Sequence, residues 1–262
     1  MGENNHASAA PPVRVALFVT CLADLYRPAV GFAALSLLEA AGCEVIVPKG
    51  QTCCGQPQWN SGDRAGSQRI ARGMIEVFEA EAVDYIVAPS GSCIGMVHDW
   101  PQVFENEPSW KSRAEAVANK AWELTSFLVD QRGWTDIQAR LDGIAAYHDS
   151  CTGKRKLGIS AQPRALLAGV EGLEVRDLNQ PEECCGFGGT FCVKYGEISS
   201  RMVTDKANDI ISTGADTLLA GEVGCLLNMN GRLKRMGSPI RCRHVAEVLA
   251  GFTDGAAMGE GE

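Results

Sequence analysis

Apolar positions along the chain fall into a repeating order of short β-branched runs and longer stretches with helical spacing. Residues 13–20 form a mainly apolar, β-branched run that predicts a buried strand, with Cys21 at its carboxyl end. A helix follows, with Pro28 near its first turn, an apolar stripe at Phe32, Leu35, Leu37 and Leu38, and Gly42 placed to end it. Residues 44–48 predict a second strand, which delivers the chain to Cys53-Cys54-Gly55. Over 65–81, Ile70, Met74, Val77 and Phe78 recur at helical spacing, and 84–88 predict a third strand leading to Ser90-Gly91-Ser92-Cys93.

The second half repeats this order. A strand over 144–148 ends at Asp149-Ser150-Cys151, a helix lies around 163–167, a strand near 173–178 leads to Cys184-Cys185-Gly186, a helix covers 197–213, and a strand at 217–220 leads to Cys225. Short apolar helical segments, 125–129 and 244–249, close the two halves, and 102–120 reads as a helical insertion in the first. Alternation of strand and helix predicts an α/β protein of two pseudo-repeated Rossmann-like lobes with parallel sheets. The expected division is a disordered leader 1–12, a first lobe 13–138, a second lobe 139–252 and a flexible tail 253–262, since both ends are polar or rich in small residues.

The cysteines carry the same duplication. Cys21, Cys53, Cys54 and Cys93 recur as Cys151, Cys184, Cys185 and Cys225, each 130–132 residues further on. These loops leave the carboxyl ends of parallel strands, which in open α/β sheets converge on one crevice. Four thiolates per half is the ligand count of one iron–sulfur cluster, so the eight cysteines are the expected metal ligands. Glycine after each vicinal pair removes a Cβ, tolerates positive φ and lets backbone N–H groups approach cluster sulfur. Gly55, Gly186, Gly188 and Gly189 are expected in that cofactor-binding role. Zinc is the competing ion, although neither half has the compact CxxC knuckle of zinc sites, and a vicinal pair chelates one tetrahedral ion poorly. A disulfide framework fits badly with eleven cysteines, an odd count, and with adjacent pairs.

Charge and length narrow the partners. A formal charge of −8 over 262 residues disfavours nucleic acid and anionic membrane surfaces. No long apolar stretch predicts membrane insertion, and the first residues lack the apolar core of a signal peptide, so a cytoplasmic location is expected. No GxGxxG follows the first strand, and no Walker loop or GxSxG elbow occurs, so nucleotide, flavin and esterase chemistry lack their usual handles.

The CCG signature resembles the cysteine-rich domain found in heterodisulfide reductase, in the glycolate oxidase iron–sulfur subunit and in anaerobic glycerol-3-phosphate dehydrogenase. More narrowly, FVTCLADL, GQTCCGQPQWNSG, APSGSC, YHDSC, ECCGFGGTFCVKYGEIS, GCLLNMNGRL and HVAEVLA, which span about residues 14 to 250, resemble the lactate-utilization A family. That resemblance implies a cytoplasmic redox subunit that carries iron–sulfur clusters. It would work with a ferredoxin-like iron–sulfur subunit and a third small subunit to oxidise L-lactate to pyruvate. The wider family closes each ligand set with a CxxC; here Ser90 and Glu222 stand at its first positions. Each lobe keeps four cysteines, which leaves open one or two clusters per chain, [4Fe–4S] in type, cubane or non-cubane. Two other readings stay in play, a cluster-based thiol/disulfide reductase subunit and a zinc-stabilised assembly protein.

Catalytic residues are not fixed by sequence. His148 and Asp149, just before Cys151, could exchange a proton or donate to cluster sulfur, and Cys192 could be a fifth ligand or a redox thiol. Cys43 and Cys242 read as core residues, Lys194 as solvated, His244 as a cap or packing residue, and Asn60, Ser61 and Gly62 as loop-orienting or capping residues.

Overall fold

The computed structural model describes residues 12–260. Two four-stranded sheets, every pairing parallel, organise the chain. The first contains β1 (Val13–Leu17), β2 (Cys43–Ile46), β3 (Tyr85–Ala88) and β4 (Ala121–Glu123) in the order β2-β1-β3-β4. The second contains β5 (Arg140–His148), β6 (Glu171–Asp177), β7 (Thr217–Ala220) and β8 (Arg241–His244) in the matching order β6-β5-β7-β8. The protein is thus an α/β molecule of two repeated lobes. In both sheets the strand order reverses beside the first strand, the place where such sheets open a crevice at their carboxyl ends.

Helices fill the crossovers. In the first lobe they are α1 (Cys21–Tyr26), α2 (Ala29–Ala40), α3 (Gln56–Asn60), α4 (Arg64–Glu79), α5 (Gly91–Val103), α6 (Pro108–Ala118) and α7 (Leu124–Ser126). In the second they are α8 (Cys151–Leu157), α9 (Ala161–Leu167), α10 (Phe191–Lys194), α11 (Gly196–Ser212), α12 (Val223–Arg235) and α13 (Val245–Leu249). Helix α4 shows why its segment folds as predicted. Asp63 caps it by accepting from the Gly66 amide at 2.9 Å, and Ala71, Met74, Ile75 and Phe78 form the stripe buried against β1 and β3.

The lobes share a core. Val15, Leu17, Ala33 and Leu37 of the first pack with Ala145, Leu219, Val245 and Leu249 of the second in one apolar cluster. The amino ends of α5 and α8 also meet closely: a Cβ on Gly91 would lie 3.1 Å from the Gly153 Cα. That contact fixes the first turn of one lobe's cysteine helix against that of the other.

Several expectations need correction. The short strands β4 and β8 were hidden in the sequence, β8 because Arg241, Arg243 and His244 make a buried strand look polar; Arg243 and His244 are both buried. The helical segment expected at 125–129 splits into α7 and a π-helical turn, Phe127–Gln131. Within 102–120 the insertion is α6 alone, since α5 already runs to Val103. Residues 253–260, in the segment expected to form a flexible tail, make contacts with the second lobe, which do not bear on its flexibility. Arg243 donates to the carbonyls of Thr253 and Gly255, the Met258 amide donates to the Cys242 carbonyl, and Ala257 and Met258 are buried. Residues 1–11 of the expected leader and residues 261–262 lie outside the described residues.

Candidate metal centre

The loops after β1, β2 and β3 and those after β5, β6 and β7 open on one cavity of about 380 Å³, and all eight repeated cysteines line it. Sequence placed these cysteines at strand ends; the structure adds that the single ones begin helices. Cys21 and Cys151 are the first residues of α1 and α8, while Cys93 and Cys225 lie in the first turns of α5 and α12. Unpaired amides at a helix start favour negative charge, so a thiolate there is better placed than in a free loop. Ser90 accepts from the Cys93 amide and Ser150 from the Gly153 amide, fixing two of these turns. Thr20, directly before Cys21, has φ +72°, the one positive φ outside glycine among the described residues. A β-branched residue held there marks local strain at the cavity wall.

Both vicinal pairs turn in the same way. Gly55 has φ +89° and Gly186 φ +76°, and their amides donate to the Sγ of Cys53 and Cys184, each at 3.4 Å. At Gly186 the requirement is doubled, because a Cβ would lie 2.9 Å from the Ser199 carbonyl oxygen. Gly188 and Gly189 line the same cavity, also with positive φ. Behind each pair a side chain of the helix that carries the fourth cysteine holds the backbone. Trp100 of α5 donates to the Cys54 carbonyl at 3.0 Å, and Asn228 of α12 to the Cys185 carbonyl at 2.8 Å.

Thiol contacts run in series through each quartet, from Cys21 through Cys53 and Cys54 to Cys93, and from Cys151 through Cys184 and Cys185 to Cys225. Crowding separates their acidities. Donation to Cys53 raises the Cys21 thiol, and burial raises it further. Cys53, accepting from Cys21 and Cys54, is pushed down to about 2. In the second lobe the contact with Cys184 raises Cys151. One thiolate is stable in such a row, but several together require a cation.

The two departures from the wider CxxC pattern are each other's partners. Glu222 is buried, and its carboxyl group accepts from the hydroxyls of Ser90 and Ser92, both at 3.0 Å, and from the Ser92 amide. This is a bolt across the lobes at the cavity wall. Burial pushes Glu222 up to about 7, and burial does the same to Glu123 at the end of β4. Sequence reading marked Ser90 and Glu222 separately without pairing them.

Lys206 was missed altogether. Its side chain is buried, donating to the Gln180 carbonyl and lying 3.6 Å from Asp209, which accepts from the Asn179 and Gln180 amides. Together these groups pin the approach to Cys184-Cys185 and place an amine near Cys185, its pKa lowered by burial against the opposing pull of Asp209. The available signal was a lysine on the apolar stripe of Val203, Ala207 and Ile210.

The weaker candidates divide. His148 is brought to the site: one ring nitrogen and the sulfurs of Cys185 and Cys225 all lie within 4.8 Å of one another. Burial pushes its imidazole down to about 3, with Lys206 adding to the effect. Asp149 is turned away into an ion pair with Arg164, at 2.8 and 3.0 Å. Cys192 points its thiol at the Gly189 carbonyl, 3.1 Å away, and does not line the cavity. Lys194 is exposed. Cys43 and Cys242 are buried in the cores, and His244 caps α13 by accepting from the Ala246 amide. Asn60 lines the cavity, and Ser61 reaches Thr190 of the other lobe at 3.3 Å.

Comparison with known proteins places this geometry. The chain is 48% identical to lactate utilization protein A of Bacillus cereus (strain G9842) over 237 residues, 90% of this chain and 98% of that one. It is 49% identical to lactate utilization protein A of Exiguobacterium sp. over 235 residues, 90% of this chain and 96% of the other. Among solved structures, a hypothetical protein from Helicobacter pylori matches at a TM-score of 0.68 and 15% identity, covering 97% of this chain but 50% of its own length, which establishes likeness of fold. The cysteine-rich CCG domain matches twice, over residues 15–98 and 145–230, so each lobe is one copy. The chain therefore belongs to the CCG cysteine-rich domain family and, within it, to the lactate utilization protein A family.

Proposed function

We propose that this protein is an iron–sulfur electron-transfer subunit of a complex that oxidises L-lactate to pyruvate. Cys21, Cys53, Cys54 and Cys93 hold one [4Fe–4S]-type cluster in this reading, and Cys151, Cys184, Cys185 and Cys225 a second. The observation that carries it is the convergence of both quartets on a single cavity. The donor set fits the group: sulfur dominates the wall, backbone amides already point at Cys53 and Cys184, and the one carboxyl group lining it, Glu222, is engaged by serines. The substrate comes from the relatives' name, lactate utilization protein A.

A bound cluster would supply one-electron transfer, whereas removing hydrogen from the lactate carbon is normally the work of an organic cofactor. That division calls for partners, a ferredoxin-like iron–sulfur subunit and a third small subunit. Within this chain the residues do positional work. Gly55 and Gly186 orient the vicinal cysteines, Trp100 and Asn228 hold their carbonyls, Lys206 opposes thiolate charge, and the Ser90–Glu222 contact keeps the two quartets in fixed relation. No described helix is long and apolar enough to cross a membrane.

The test is iron and acid-labile sulfide per chain in anaerobically purified protein, compared with Cys54→Ser and Cys185→Ser. About eight of each would mean two filled quartets, and about four, lost in only one variant, would confine the cofactor to that lobe. Protein that stays iron-free after anaerobic reconstitution, or that carries stoichiometric zinc, overturns the reading.

A further inference from the structure

The two lobes share their cysteines but differ three residues before the first of them. Phe18 precedes Cys21; His148 precedes Cys151. Phe18 is a core residue with no exposed surface, packed edge-on against Phe78 at 5.6 Å between ring centres. His148 occupies the matching strand end with 1% exposure, yet neither Nδ1 nor Nε2 has a hydrogen-bond partner. Buried polar groups are nearly always paired, so an imidazole with both nitrogens unpaired in a core calls for a partner of another kind.

Its neighbours supply the answer. The Cys185 and Cys225 sulfurs are 3.0 Å apart, and an imidazole nitrogen joins them within a 4.8 Å limit. An unpaired imidazole nitrogen this close to two sulfurs of the second quartet can ligate the metal that those sulfurs bind. We propose that His148 ligates a metal ion of the second-lobe centre, beside Cys185 and Cys225, making that centre a mixed histidine–cysteine site and the first an all-cysteine one. The assignment of that ion as iron rests on the iron–sulfur reading above; the ligation itself does not. The duplicated sites are then chemically unequal.

The experiment is nitrogen hyperfine spectroscopy on the whole chain carrying isotope-labelled histidine, in His148→Phe and unsubstituted forms. Two loadings are compared, the anaerobically reconstituted and reduced iron form, and the metal-free chain given cobalt(II) alone. The His148→Phe substitution installs the first lobe's own residue, and thermal melting checks that it folds. The expected result is an imidazole coupling in unsubstituted protein that disappears in His148→Phe and survives Cys54→Ser. Iron and sulfide present without imidazole coupling would overturn the ligand assignment and leave the cluster reading intact. Absent iron and sulfide, together with a His148-dependent coupling to cobalt, would keep the ligand and remove the cluster. No imidazole coupling with either metal, or one unchanged in His148→Phe, overturns the proposal.

Discussion

Glu123 offers a test of the buried acidic layer beneath the cavity. Its Oε2 accepts from the Thr125 amide at 2.8 Å, the Thr125 hydroxyl at 2.6 Å and the Ser126 amide at 3.1 Å. All three bonds land on one oxygen, which leaves Oε1 to carry a proton. Burial pushes the group from 4.5 up to about 7, with the charge of Glu222 adding to it. The folded state therefore binds a proton that the unfolded state releases between these values. The associated stability is fully present below pH 4.5 and is lost as pH rises through about 7. A shift of this size corresponds to about 3 kcal/mol between the two limits. Glu123→Gln keeps an acceptor oxygen for the cap and puts an uncharged amide where the proton sits, so it should escape the loss. Melting temperatures of both proteins should diverge as pH rises from 5 through about 7 and keep a constant separation up to pH 9, the variant gaining roughly 5–10 °C relative to unsubstituted protein. Glu222 titrates in both proteins, so the difference between the curves is diagnostic. Parallel curves, or a variant that loses ground above pH 7, would refute a buried, proton-holding Glu123.

Two further outcomes follow from the site. Gly186→Ala, with a positive φ and a Cβ driven against the Ser199 carbonyl, should cost about 2–3 kcal/mol, against about 1 kcal/mol for Gly55→Ala, whose new Cβ would have 3.5 Å of room beside Ile70; chemical denaturation of the two variants checks the order. Cys192→Ser should leave metal content and the activity of the assembled complex unchanged, because its thiol faces the Gly189 carbonyl and not the cavity; a loss of either would bring back a substrate-side thiol.

How much of this was legible in sequence depends on the range of the interaction. Strands β1, β3, β5 and β7 were readable because buried parallel strands are locally apolar; Thr217 to Ala220 are buried without exception. The quartets were readable because cysteine is rare and its spacing survives duplication. Contacts between lobes left no local trace. The Ser90–Glu222 bond joins residues 132 positions apart and exists only once α5 and α12 start at the same cavity. β8 was obscured by Arg243, whose Nη2 donates to the tail carbonyls of Thr253 and Gly255, and that same contact lays residues 253–260 against the lobe. The difference between His148 and Phe18 was visible in an alignment of the two halves. Its meaning was not, since a histidine without partners is recognisable only when its neighbours are known.

Charge gives the two-lobe arrangement its physical logic. Eight thiols lining one cavity cannot ionise together without compensation, because like charges at close range raise one another's pKa values. Lys206 places one amine near Cys185, whose charge burial weakens, and the amino ends of α5 and α12 supply partial positive charge at Cys93 and Cys225. That falls short of eight negative charges, so the metal-free protein must hold most of the thiols protonated, as the raised values of Cys21, Cys54 and Cys151 indicate. Loading metal then releases protons and strengthens with pH. A further fixed carboxylate between the quartets would oppose loading, yet Glu222 sits there. Its burial and serine contacts resolve the conflict: near neutrality the bolt can keep its proton, joining the lobes while adding little charge to the wall that would bind cations in the proposed function.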